Sequence, residues 1–501
     1  MALVKAPFFL VKCHSSRIIA VSNPFIFQVH ALMFPRGDDG YSKKRQSQFL
    51  SETLRSCLHV LNTGKGALPA IEIMEALIHH CIEEGFDADA LRISEALIER
   101  EPFSSDAWHL RSLAQAHAGD KGNALISITK ALALNPNDAG IQITHTMLQE
   151  HLLTKDEVLG NYHALLETHP GNDEILYALG QYYEKQGLYK EAIKVFSFLE
   201  HSEEFSKHAL SDLGYCHDCL EEYSQALTWY DKYLDLEPYD PIIWFNKAVV
   251  LCHLEQYNDA ISCYDFALAI KDDFAGAWYN RGNALGSLGR LLEAIESYKQ
   301  ALIHEPNDVA AWHNLGSTLE ETGAFREAIE AFSMAIIHDS MHYESYYGRG
   351  SCHDALEEYG SAIADYDKAL SLYPSYPEVW QAKGDALFNI QKMEESLICY
   401  KQALKLSPDS VDCAIDCIHT LLEMKRFKEA HELIEQYIIR FPLNADLFYQ
   451  HAKIMAVVGK EADIINSLRI AHSIQHLEKD DVEKDFADHL GKQQIAQVFL
   501  S

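Results

Sequence analysis

The chain is short of positive charge. Lys and Arg number 42 against 74 Asp and Glu, a formal net charge of −32 over 501 residues. Such a chain repels phosphate backbones and anionic headgroups, so neither nucleic acid nor membrane surfaces are expected as partners. A basic or neutral protein or peptide suits it better. Long apolar runs are also missing. Residues 18–27 are apolar but broken by Asn23-Pro24, and no later stretch reaches the ~18 residues a membrane span needs. The eleven cysteines form no dense framework, which fits a reducing compartment and a cytoplasmic location rather than a disulfide scaffold.

Signatures of catalysis are lacking too. HExxH, GxSxG, GxxxxGK[ST] and GxGxxG do not occur. Cys216-His217-Asp218-Cys219 is a lone CxxC with no second pair to complete a structural zinc site, and Cys413 and Cys417 have the same shortfall. His109, His117, His253, His313, His353 and His419 are expected to pack or face solvent rather than to ligate. The sequence therefore predicts no enzyme activity, no cofactor and no metal.

The first 40 residues stand apart. Residues 1–37 hold Lys5, Lys12, Arg17 and Arg36 and no carboxylate. This basic segment is expected to be disordered, cleaved after residues 29–31 as an export signal, or an artefact of a start site upstream of Met33.

What the sequence does have is a period. Pro102, Pro136, Pro170, Pro238, Pro306, Pro374, Pro408 and Pro442 lie on a ladder of 34 residues, with Glu204, Asp272 and Ser340 on the rungs that lack Pro. Trp108, Trp244, Trp278, Trp312, Tyr346 and Trp380 keep the same register, as do Gly180, Gly214, Gly282, Gly316, Gly350 and Gly384. Ala192, Ala226, Ala260, Ala294, Ala328 and Ala362 follow, each with an aromatic four residues on, and Ala267, Ala301, Ala335, Ala369 and Ala403 close the pattern. Spacings of three and four are helical, so each unit reads as two helices. Gly119, Gly187, Gly289, Gly323 and Gly459 sit where the first helix needs a left-handed cap, and Pro lies just past the second. Small residues allow close approach of two helices, and the aromatics fill the space between neighbouring pairs. One pair cannot bury its apolar face alone, but stacked pairs can.

This pattern resembles the tetratricopeptide repeat family. The match is strongest over 173–410; divergent repeats are expected at 71–172 and 445–478, a well-matched array at 173–444, an N-terminal helix at 41–70 and a C-terminal capping helix at 479–501. The resemblance implies an all-α, right-handed α-solenoid, a superhelix of about ten to twelve helix hairpins. First helices line its concave face, and family members bind peptides or partner helices there. Some large members add a glycosyltransferase domain, for which the 23 residues after the array are too few.

By the same resemblance, positions 2, 5, 6, 9, 12 and 13 of each repeat face the groove. Over residues 105–444, fifteen of these 60 positions are acidic, among them Glu320, Glu321, Asp354 and Asp385, and one is basic, Lys185. A clamp for a partner's C-terminal carboxylate needs Lys or Arg here, so that family mode is not expected. Asn246, Asn280 and Asn314 repeat at one position, with Asn283 nearby. The amides are expected to pair with an extended peptide backbone, as in the asparagine ladders of some large members. Tyr177, Phe245, Tyr279 and Tyr347 precede that position, as partner anchors or as packing residues. The function implied is a non-catalytic interaction scaffold holding an extended or helical, basic segment. The alternative is a structural protein that self-associates through its terminal repeats.

Overall fold

The computed structural model describes residues 40–499, so the basic segment 1–40 lies outside the described residues but for its last member. Those residues contain 27 helices and no strand. Gly40–Thr63 stands first. Twelve helix pairs then follow in chain order, from Ile71–Glu83 with Asp87–Arg100 to Ala445–Val458 with Glu461–Ile474. Close contact divides them into two compact units, described here over residues 40–270 and 271–499. In both, each helix packs on its partner and on the next pair. The architecture is an all-helical tandem array, as the period predicts.

The glycine and aromatic rungs explain how a pair closes. A Cβ added to Gly180, Gly214, Gly282, Gly316, Gly350 or Gly384 would lie 2.4–2.8 Å from the ring sixteen residues later: Phe196, Tyr230, Tyr298, Phe332, Tyr366 or Tyr400. So these rings fill the space within their own pair rather than only between pairs. Phe332 does both, because it also meets Gly348 of the next repeat. The rings are almost wholly buried, and each such burial stabilises by about 1.5–3 kcal/mol. The core is a series of clusters spanning neighbouring pairs, such as Ala226, Tyr230 and Leu234 with Ile243 and Val250.

The ladder of prolines has a second use. Trp108, Trp244, Trp312 and Trp380 donate Nε1–H to the carbonyls of Pro102, Pro238, Pro306 and Pro374 at 2.8–3.0 Å. Trp278 does the same to Asp272, one of the rungs without Pro. First helices are capped in register: Ser104, Asp138, Asn172, Asp240, Asp308, Ser410 and Asn444 accept from the first-turn amides, each cap contributing about 1 kcal/mol.

First helices end in the left-handed region at 34-residue intervals, except in repeat 139–172. The glycines named for this role have φ of 70–82°, and Gly85 joins them. The same step falls on Glu221, Glu255, Glu357, Gln391 and Lys425, at φ 58–63°. Their Cβ atoms make that conformation costly, so register, not residue type, dictates it.

Two stretches depart from expectation. Residues 479–501 hold two short helices, Lys479–Phe486 and Lys492–Val498, rather than one capping helix. Val482, Phe486, Leu490, Ile495 and Val498 are buried against the preceding repeats, with a turn at 487–490 between the two helices. In repeat 173–206 the second helix, Tyr189–Phe198, has ten residues where its counterparts have fourteen.

Candidate functional site

The first-helix face is best described by position in the repeat, counting residues 105, 139, 173 and so on as position 1. At four junctions the side chain at position 5 of one repeat is hydrogen-bonded to position 6 of the next. Tyr177 donates to Asp212 at 2.9 Å, and Gln381 donates to Asp416 at 2.8 Å. His109 meets Thr144 at 2.9 Å, and Asn314 donates Nδ2–H to the Tyr279 hydroxyl at 3.1 Å. These pairs form a polar seam linking successive repeats. The position-5 aromatics also pack inward on the ring at position 24 of their own repeat: Tyr177 on Phe196, Phe245 on Tyr264, Tyr279 on Tyr298, Tyr347 on Tyr366, with centroids 5.7–6.1 Å apart. They are packing residues first.

The asparagines are not equivalent to one another. Asn280 donates Nδ2–H to the Gly276 carbonyl of its own helix at 3.0 Å. Asn314 also donates to Asn283 Oδ1 at 2.9 Å, and Tyr298 donates to that same oxygen at 2.8 Å. Asn283, Asn314, Tyr279 and Tyr298 are thus one internal network in the unit 271–499. Asn246 is half-buried on Pro241–His253 in the other unit.

The carboxylates differ from all of these. Glu320, Asp354, Asp385 and Asp416 stand on the first helices of the four successive repeats in 309–444, and all are half-buried. Glu320 accepts from Ser351 at 2.6 Å, and Asp385 accepts from the Tyr400 hydroxyl at 2.6 Å. One oxygen of Asp354 is buried and has no hydrogen-bond partner. Among the described residues none of the four makes an ion pair. Burial raises the pKa of each; for Asp385, with Asp416 and Asp354 adding repulsion, it reaches about 7. In the unit 40–270, burial likewise lifts Glu174 to about 7 and Asp218 to about 6. Second-helix carboxylates show the reverse. A hydrogen bond from Arg290 lowers Glu293, and one from Arg426 lowers Glu429. Glu321 is exposed at the edge of the face.

The histidines singled out in the sequence all have internal roles. His117 pairs with Asp87 and His353 with Glu358, at 2.6 and 2.8 Å. His253 stacks on Tyr223, His313 meets Ser345, and His419 meets Gln450. Burial lowers His109 to about 4 and His313 to about 3, so both are neutral at pH 7. Cys216, Cys413 and Cys417 are buried, and Cys219 is half-buried. Burial pushes Cys417 up to about 11 and raises Cys413 and Cys219, leaving these thiols poor nucleophiles at neutral pH.

Family models described as "Tetratricopeptide repeat" match residues 85–139, 159–201, 177–241, 229–262, 275–308, 297–330, 343–376 and 377–410, and one described as "TPR repeat" matches 250–289. The chain belongs to the tetratricopeptide repeat family. Solved structures similar to this TPR chain include MamA, 24% identical, covering 32% of this chain and 94% of that one, with a TM-score of 0.32. The Cut9–Hcn1 hetero-tetramer of the APC/C is 14% identical, covering 85% and 97%, with a TM-score of 0.40. YrrB, titled a TPR protein with an unusual peptide-binding site, is 19% identical, covering 38% and 96%, with a TM-score of 0.35. No curated protein matches the sequence. TPR arrays are typically non-catalytic, and this one is built as a protein-interaction scaffold. Among the described residues no helix is long and apolar enough to cross a membrane.

Proposed function

We propose that this TPR array holds a basic, extended or helical segment of a partner protein against its first-helix face. One observation carries the reading: Glu320, Asp354, Asp385 and Asp416 are half-buried and make no ion pair among the described residues, and Asp416 and Asp354 repel Asp385. A Lys or Arg side chain brought against them would supply the missing charge, and Asp354 offers an oxygen with no internal donor. Charge-assisted hydrogen bonds of this kind are roughly twice as strong as neutral ones. The asparagines contribute less, because Asn280 and Asn314 already donate inside the protein.

The test is fluorescence anisotropy with a labelled Lys/Arg-rich peptide, an acidic peptide serving as control. The full chain is compared with a variant carrying Glu320→Gln, Asp354→Asn, Asp385→Asn and Asp416→Asn. Binding of the basic peptide should weaken at least ~10-fold in the variant, the loss of about 1.4 kcal/mol or more that removing charge-assisted contacts predicts. It should also weaken with added salt. Equal affinity in the two proteins, or binding of both peptides alike, refutes the proposal.

A further inference from the structure

A junction near the end of the array differs from its counterparts. At three junctions between repeats, a cation at position 7 faces a carboxylate at position 25 of the repeat before. Arg111 faces Glu95 at 3.6 Å, Lys247 faces Asp231 at 2.6 Å, and Lys383 faces Asp367 at 2.5 Å. At the junction of 411–444 with 445–478 the carboxylate is present, as Glu435, but position 7 is His451. A second imidazole, His431, stands one turn before Glu435 on the helix Phe427–Arg440. The cation is replaced by two side chains that are ligands as well as bases.

We propose that His431, Glu435 and His451 bind a divalent transition-metal ion, Zn2+ being the one that best suits two imidazoles and a carboxylate. One ligand atom from each lies within 4.8 Å of the others. His451 Nε2 is 3.3 Å from Glu435 Oε1, and His431 Nε2 is 4.0 Å from it. Ligands ~2.1 Å from a tetrahedral zinc lie about 3.4 Å apart, so small side-chain rotations close the site. His431 and Glu435 are i and i+4 on one helix, hence on one face. His451 comes from the first helix of the next repeat, Ala445–Val458.

Three further observations fit. His451 Nε2 is buried and makes no hydrogen bond, so an ion would give it a partner. Its Nδ1 lies 2.8 Å from Ser467 Oγ. With Nδ1–H donated to that hydroxyl, Nε2 keeps its lone pair, the outer-shell arrangement that orients metal-bound histidines. Burial, helped by the neighbouring His431, holds His451 below the ordinary histidine pKa even against Glu435 and Asp463. A neutral imidazole is a competent ligand but cannot serve as the cation its counterparts supply. The ion would furnish that charge and fasten the last repeat to the one before it. Water would fill the remaining coordination positions.

The full chain is dialysed against chelator and titrated with ZnCl2 by calorimetry, beside a His431→Asn, His451→Asn variant. Other histidines and thiols also bind zinc, so the reading is the difference between the two. One equivalent more in the native chain supports the site; equal stoichiometry overturns it. If the double variant misfolds by circular dichroism, His431→Asn alone serves, because that residue is 40% exposed. Ser467→Ala should lower affinity roughly 10-fold, the usual effect of an outer-shell partner; an unchanged affinity counts against the assignment. Co2+ replacing Zn2+ should give ligand-field bands lost in the variant, without thiolate-to-metal charge transfer at that step. Thiolate bands accompanying the variant-sensitive equivalent would overturn the assignment.

Discussion

Asp385→Asn tests whether the first-helix face is electrostatically strained. Asp385 is half-buried, accepts from Tyr400 at 2.6 Å and lies near Asp354 and Asp416; its pKa is raised to about 7. In the unfolded chain an aspartate titrates near 3.9. Between about pH 4 and 7 the folded protein keeps a proton that the unfolded chain has released. Stability from this group is therefore fully present below about pH 4 and is lost as pH rises through about 7. A shift of about three units, at roughly 1.4 kcal/mol each, caps the loss near 4 kcal/mol. Partial solvent access reduces it, and about 1–3 kcal/mol is expected. Asparagine keeps the acceptor for Tyr400 and removes the charge. The variant should match the native protein near pH 4, draw ahead from there to about pH 7 and exceed it by about 1–3 kcal/mol at pH 8. Because repeat arrays open locally, the reading is amide hydrogen exchange in the helix Pro377–Asn389 across that pH range, alongside thermal melting. Glu174 and Asp218 also carry raised pKa values, but they are present in both proteins and cancel in the comparison. A difference that does not grow with pH would refute the argument.

Three other outcomes follow from packing and backbone geometry. Gly214→Ala puts a Cβ 2.4 Å from Tyr230 and should destabilise by about 1–3 kcal/mol, whereas Gly160→Ala, with nothing within 4 Å in the helix Lys155–Thr168, should stabilise by up to about 1 kcal/mol; urea melts of both variants check the contrast. Glu357→Gly relieves a left-handed residue at φ 61° and should raise stability by about 0.5–1 kcal/mol, measured by thermal melting, because relief of strain outweighs the added freedom of the unfolded chain. A double-mutant cycle of Tyr279→Phe and Asn314→Ala should give a coupling of about 0.5–1.5 kcal/mol in stability, and additive effects would show that the seam does not join the repeats.

Much of this fold is legible in the sequence because its rules are local. A Gly facing a ring sixteen residues on, a side-chain cap before most first helices and a Pro past most second helices all lie within one period. The left-handed steps at Glu221, Glu255, Glu357, Gln391 and Lys425 are hidden by residue type, though the 34-residue register set by Gly289 and Gly323 points to them. The seam is harder to read. Its pairs lie 35 residues apart and change chemistry each time, from His109 with Thr144 to Gln381 with Asp416. That is why Asn314, which looks like a free amide in a ladder, is already bound to Tyr279 and Asn283. His431 and His451 escape notice for a related reason: one is an ordinary i, i+4 partner of Glu435, and the other belongs to the next repeat.

The seam also bears on what the first-helix face has left to offer a partner. Where the seam forms, neighbouring repeats engage one another's hydroxyl, amide or imidazole groups, and the rings of Tyr177, Phe245, Tyr279 and Tyr347 turn inward onto their own pair. Among the groups left short of partners are half-buried carboxylates, above all Asp354, which cannot donate to one another and which burial keeps from full hydration. A ligand that brings only acceptors would compete with the seam and leave those oxygens as they are. A ligand that brings donors and positive charge relieves repulsion without breaking any internal bond. If the face takes a basic partner as proposed, its specificity would come from what the packing of repeats leaves unmatched, and Asp354, with a buried oxygen and no donor, would be where a cationic side chain gains most.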